Sequence, residues 1–152
     1  MSFETAVRKT PSTREAYRGG LSALREGDRA RISVDNTRLL TGSIDLDTAL
    51  RRLHPNASRW DYGIGYKLSQ KSEKVVWVEV HPSRGSSDIK EVENKVRWLR
   101  QWLEVDGKLL KTLQRQLVWI SSGRTIYTSS SPQMRRIAEL GLIFAGGHHK
   151  IV

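Results

Sequence analysis

Two carboxylates eighteen residues apart are the clearest candidates for chemistry in this chain. Asp61 opens the segment "DYGIGYKL", and Glu79 stands inside the apolar run "VVWVEV" with His81 two residues on. A charge among valines is costly to bury without a partner, so Glu79 belongs either at a strand end facing water or in a site. If the two segments form an antiparallel hairpin through a turn near residues 70–73, Asp61 and Glu79 come out nearly opposite each other. Carboxylates held together repel unless a proton or cation sits between them. Their oxygens, completed by water and substrate phosphate, suit Mg2+ or Mn2+, and such an ion can activate water for displacement at phosphorus. The plainer alternative makes Asp61 a strand-initiating turn residue and His81 the start of a loop before Pro82. Glu79 would then pair with an arginine such as Arg84 or Arg97.

Positioning those residues requires a hairpin and something to cover it. In "DYGIGYKL", Tyr62, Ile64, Tyr66 and Leu68 alternate with Asp61, Gly63, Gly65 and Lys67, which predicts a half-buried strand with a small, polar second face. In the returning strand, Trp77, Glu79 and His81 share one face, and Val76, Val78 and Val80 the other. Downstream, Ile89, Val92, Val96, Leu99 and Leu103 recur every three or four residues, predicting a long helix capped by Ser87 or Asp88 and stopped near Gly107. Upstream, Ser12 and Glu15 form a capping-box pattern before Tyr17, Leu21 and Leu24, predicting a helix over 13–26. Residues 29–46 have the pattern of a hairpin, and Asp47 that of a cap for a short helix, "TALRRL". Toward the end come a helical turn in "KLLKTLQRQ", a buried strand "LVWIS", a short strand at 125–128, a Pro132-initiated helix "QMRRIAEL" and a strand "LIFA". This order predicts one α/β domain over 1–152, three layers deep, with a central mixed β-sheet flanked by helices.

At these residues the chain resembles the PD-(D/E)XK nuclease-like superfamily. The likeness rests on Asp61 in "RWDYGIGY", on Glu79 in "VEVH", and on the helix, strand and helix that follow. It implies a restriction-endonuclease-like core, metal ligation by Asp61 and Glu79, and a lysine two positions after the glutamate that orients the attacking water. Here that position is His81, and Trp60 stands where the family usually has proline. A neutral imidazole supplies less positive charge at pH 7 than an ammonium, although it could act as a base or as a nitrogen ligand to manganese or another transition ion. Lys67, which shares the predicted face of Asp61, is the preferred source of the missing charge, with Lys95 on the long helix as the other. The resemblance therefore leaves open an active nuclease and an inactive relative.

Composition bears on partners. The 152 residues carry 26 Lys and Arg against 16 Asp and Glu, a formal net charge of +10. That excess favours polyanions, because neutralising phosphates releases condensed counterions, so DNA or RNA is the first expected partner. Arg97, Arg100 and Lys90 on the long helix, and Arg135 and Arg136 at the second turn of the later one, are the candidate phosphate contacts. Trp98 and Trp102, four residues apart, could stack bases but more simply pack the helix onto the sheet. His148 and His149 are expected to be tail residues, and Ser129, Ser130 and Ser131 have no evident His or Asp partner for nucleophilic catalysis. The absence of cysteine excludes disulfides, thiolate metal sites and thiol catalysis. With no apolar run long enough to span a bilayer and a polar N-terminal stretch, the expectation is a cytoplasmic protein without a membrane partner. The second functional class is a non-enzymatic interaction protein of immunity, antitoxin or inhibitor type, whose charge meets an acidic protein partner.

Overall fold

The computed structural model describes residues 1–124, 127 and 131–152. Its centre is the expected hairpin. Strand β3 (Tyr62–Ser69) and strand β4 (Ser72–His81) pair antiparallel, with Tyr62 opposite Val78 and Gly63 opposite Trp77. Strand β2 (Leu40–Asp45) adds antiparallel to β3, while β5 (Gln114–Ser121) and β6 (Leu142–Phe144) extend the other edge in parallel. The result is a five-stranded mixed sheet in the order β2-β3-β4-β5-β6.

Alternation divides the core. Val75, Trp77, Leu117 and Trp119 face one side, and Tyr62, Ile64, Val76, Val78, Val118 and Ile120 face the other. The first side is covered by α1 (Phe3–Lys9), α4 (Ser86–Val105), α5 (Lys108–Lys111) and α6 (Pro132–Glu139). On the second lie the segment with Leu21, Leu24 and Leu39, which carries the single-turn helix α2 (Glu26–Arg29), and a separate parallel ribbon of β1 (Ile32–Val34) with β7 (His149–Ile151). The architecture is thus α/β with the sheet between two covering layers. Among the described residues no helix is long and apolar enough to cross a membrane.

Helix α4 follows its sequence pattern, burying Ile89, Val92, Val96, Leu99 and Leu103 along one stripe. Neither Ser87 nor Asp88 caps it. Gly85 occupies the cap position, and Asp88 Oδ2 instead accepts from Arg84 N at 2.9 Å. The second face of β3 is close-packed rather than polar: a Cβ on Gly63 would stand 2.7 Å from the Trp77 ring, and one on Gly65 2.6 Å from the Phe3 ring. Glycine is required there because two aromatic rings lie directly on the strand backbone.

The N-terminal third departs from expectation. No helix spans 13–26; Gly20 adopts φ +51, and Arg18 forms an isolated bridge to Ser43. The helix lies earlier as α1, where Ser2 Oγ accepts from Thr5 N at 3.1 Å and Phe3, Ala6 and Val7 are buried. Residues 29–46 form no hairpin, since β1 pairs with β7 and β2 with β3. Between them a 3-10 turn at Thr37–Leu39, capped by Asn36, redirects the chain. Asp45, not Asp47, caps the short helix α3 (Leu46–Leu50), accepting from Thr48 N at 3.0 Å. The C-terminal stretch is strand β7 rather than a free tail, with His149 inside it and His148 Nε2 2.9 Å from Ser33 Oγ. The strand expected at 125–128 falls outside the described residues except for Tyr127, as do Ser129 and Ser130.

Candidate active site

The hairpin register places Asp61, one residue before β3, across from Glu79 near the end of β4. Two hydrogen bonds lock the pair: Asp61 N donates to Glu79 Oε1 at 3.1 Å, and Val80 N donates to Asp61 Oδ2 at 3.0 Å. Glu79 is on the helix-covered face with Trp77, and its side chain is 0% exposed. Lys95 reaches down from α4 and meets Glu79 Oε2 at 2.5 Å. Two carboxylates and one ammonium from three elements therefore converge at one end of the sheet.

Their electrostatics follow from that crowding. Burial pushes the Glu79 carboxyl well above the ordinary glutamate range, and the Asp61 charge pushes it further, with Lys95 opposing both. Burial likewise raises Asp61, again against the pull of Lys95. Burial alone would lower Lys95, but the charges of Glu79 and Asp61 outweigh it and raise the ammonium, which stays protonated at neutral pH. Asp61 also lines a recess of about 210 Å³ together with Asp28, Asp45, Asp47 and Arg25. In a chain of net charge +10, this recess is locally acidic. A larger open cleft of about 460 Å³, lined by Ser12, Glu15 and Ala49 among others, meets it through Asp45.

His81 stands beside this group, its Nδ1 3.8 Å from Glu79 Oε2. Its Nε2 faces Asp88 Oδ1 at 3.5 Å and Glu91 Oε2 at 3.4 Å, both on α4. Burial and the Lys95 charge lower its pKa, against the pull of Glu91 and Asp88, so the imidazole is predominantly neutral at pH 7.

Lys67 is not brought to the site. It pairs with Glu73 beside the hairpin turn, at the far end of β3 from Asp61. Six residues of strand separate them, about 20 Å at the usual rise. Alternation predicted the face correctly but is silent on position along the strand. Lys95 supplies the charge instead. Its signal in the sequence is the series Asp88, Glu91 and Lys95 at helical spacing beside the buried stripe of α4. Asp88 and Glu91 are the residues sequence reasoning passed over.

The predicted phosphate contacts divide. Arg136 grips the nearly buried Glu93 through one hydrogen bond, Nη2 to Oε2 at 3.0 Å, and an ion-pair contact of 2.9 Å from Nε to Oε1, and Arg97 lies 3.6 Å from the same carboxylate. Arg100 donates to the carbonyl of Leu140. Arg136 and Arg100 thus hold α4 to α6 and the turn after it, while Arg97 pairs within α4 with Glu93 and Asn94. Lys90 and Arg135 are exposed, and among the described residues neither has an ion-pair partner. Trp98 stacks on Trp102 at 6.4 Å, and Trp102 stands edge-on to Trp77 at the same separation, so this pair packs the helix onto the sheet.

No family model, curated protein or solved structure matches the chain.

Proposed function

We propose that this chain is a nucleic-acid-binding protein with a PD-(D/E)XK-like active site that hydrolyses phosphodiesters with a divalent metal ion. The observation that carries the reading is the convergence of Asp61, Glu79 and Lys95 where β3 begins and β4 ends. The residues fit Mg2+ or Mn2+. The donors are hard carboxylate oxygens beside an acidic recess, and both carboxyls are raised by burial in a way that a cation would relieve. Asp61 and Glu79 would hold the ion, which when bound supplies an activated water and offsets charge on the phosphate. The Asp61 and Val80 amides fix the two carboxylates in place before substrate arrives. Lys95 occupies the role that the resemblance assigns to a strand lysine, holding an ammonium beside Glu79 to orient water and to stabilise negative charge at phosphorus. The overall charge of +10, with Lys90 and Arg135 unpaired among the described residues, supports binding of the polyanion.

Incubating the protein with single- and double-stranded DNA and RNA, in Mg2+ and then Mn2+, tests the proposal. Cleavage is expected to be abolished by Asp61→Asn and by Glu79→Gln and unchanged by Lys67→Ala. Absence of cleavage with either cation, alongside binding that weakens with salt and ignores both substitutions, would leave recognition without catalysis. No affinity for nucleic acid at low salt would move the reading to an acidic protein partner.

A further inference from the structure

Beside the proposed hydrolytic pair lies a second group of ligand atoms with its own geometry. His81 Nε2, Asp88 Oδ1 and Glu91 Oε2 all lie within 4.8 Å of one another. The imidazole nitrogen is 3.5 Å from the first carboxylate and 3.4 Å from the second. A direct charge-assisted hydrogen bond would close to about 2.7–2.9 Å. Instead, His81 Nε2 is fully shielded from solvent and has no hydrogen-bond partner. Ligands bound at about 2.0–2.2 Å around a tetrahedral zinc ion lie about 3.4 Å apart. The observed spacings match that edge.

The surroundings fix each donor. Trp119 Nε1 donates to the carbonyl of His81 at 2.9 Å, which anchors the end of β4. Arg84 N donates to Asp88 Oδ2 at 2.9 Å, leaving Oδ1 directed at the imidazole. Glu91, one turn further along α4, closes the third side from a solvent-exposed position, its side chain 56% exposed. Glu79 Oε2 stands 3.8 Å from Nδ1, beyond hydrogen-bond distance, and accepts from Lys95 instead.

We propose that His81, Asp88 and Glu91 form a binding site for a first-row transition cation, Zn2+ foremost, separate from the Asp61–Glu79 pair. One nitrogen and two carboxylate oxygens make a three-ligand set, and the exposed Glu91 side chain borders solvent, from which water would supply the fourth ligand. The nitrogen donor favours a transition ion over Mg2+, so the two sites differ in metal preference. The inference concerns binding and stands whether or not the chain cleaves nucleic acid.

Full-length protein stripped with chelator and titrated with Zn2+ by calorimetry in excess Mg2+, with Co2+ as an absorption probe, gives the test. The expected result is one Zn2+ equivalent that Mg2+ does not displace, and a tetrahedral Co2+ spectrum. Glu91→Gln, at an exposed position where folding is preserved, and Asp88→Asn are each expected to raise the Kd about tenfold or more. His81→Gln is expected to abolish the Co2+ spectrum, while Asp61→Asn and His148→Ala leave the site intact. No Zn2+ binding would overturn the proposal. So would binding that survives both Glu91→Gln and Asp88→Asn, or that is lost in Asp61→Asn or His148→Ala.

Discussion

Glu79 and Glu93 are both buried carboxylates on the helix side of the sheet, yet their surroundings differ in kind. Glu93 sits on α4 between two guanidinium groups, with Arg136 of α6 making one hydrogen bond and a second ion-pair contact and Arg97 approaching from its own helix. Among the described residues no second carboxylate pairs with these arginines, and the arrangement joins two helices. Glu79 is matched by one ammonium and crowded by Asp61, which is itself raised by the charge of Asp47. A buried acid paired with cations from neighbouring elements is a structural clamp. One made to share a single cation with another acid stores repulsion that a metal ion or proton would relieve. The plainer sequence reading, a glutamate locked against arginine, thus describes Glu93 rather than Glu79.

Removing Lys95 should produce the largest effect. Lys95→Met leaves Glu79 in an apolar setting without its cation, and breaking a buried pair from one side costs about 3–5 kcal/mol. Protonation of the already raised Glu79 carboxyl will hold the loss toward the lower figure. Adding Glu79→Gln to Lys95→Met should recover a large part of it, as urea unfolding of the two single variants and the double variant will measure. A double variant no more stable than Lys95→Met would show that the lysine acts through packing of its stem.

The Glu93 clamp should yield a smaller number. Arg136→Ala removes one partner, but that side chain is 67% exposed and Arg97 remains. A loss of about 1 kcal/mol is expected, lowering the melting temperature by about 2–4 °C for a chain of this size. Cleavage, if present, should be unaffected at saturating substrate. A change in kcat as large as that from Lys95→Met would erase the distinction between the two glutamates.

How much of this was legible in the sequence depends on the range of the interactions involved. The Asp61–Glu79 pairing could be read because a short turn fixes the register of a hairpin, and the side on which Trp77 and Glu79 lie follows from simple alternation. The α4 stripe was equally plain, since helical periodicity is local. By contrast, β1 pairs with β7 across most of the chain, and nothing in "ISV" or "HKI" announces the partner. The helix placed at 13–26 failed because its apolar residues do not share one face: Tyr17 packs against the helix-side core, and Leu21 and Leu24 against the other. Ser2 instead caps α1, whose Phe3, Ala6 and Val7 are buried together. Lys67 was preferred over Lys95 because face is local information, whereas the approach of α4 to the end of β4 is set by tertiary packing. Asp88 and Glu91 were missed for the same reason.

The finest discrimination between the two carboxylates is by pH. Because burial and Asp61 raise Glu79 in the folded state, the folded protein binds its proton more tightly than the unfolded chain. Between the unfolded value, about 4.3, and the higher folded one, the native state therefore carries more protons, and stability falls as pH rises. The contribution is complete below the unfolded pKa and is lost as pH passes through the folded one. Asp61 is raised as well and acts in the same direction. Lys95, held above its ordinary range, gives a contribution that persists through neutral pH and is lost only at high pH, so it does not mask the slope. In Glu79→Gln the amide cannot titrate, so the Glu79 contribution to the slope is removed and stability from pH 5 to 8 should decline less than in the wild type. Chemical denaturation at several pH values will measure that difference in slope, and equal slopes would mean that Glu79 carries no raised pKa.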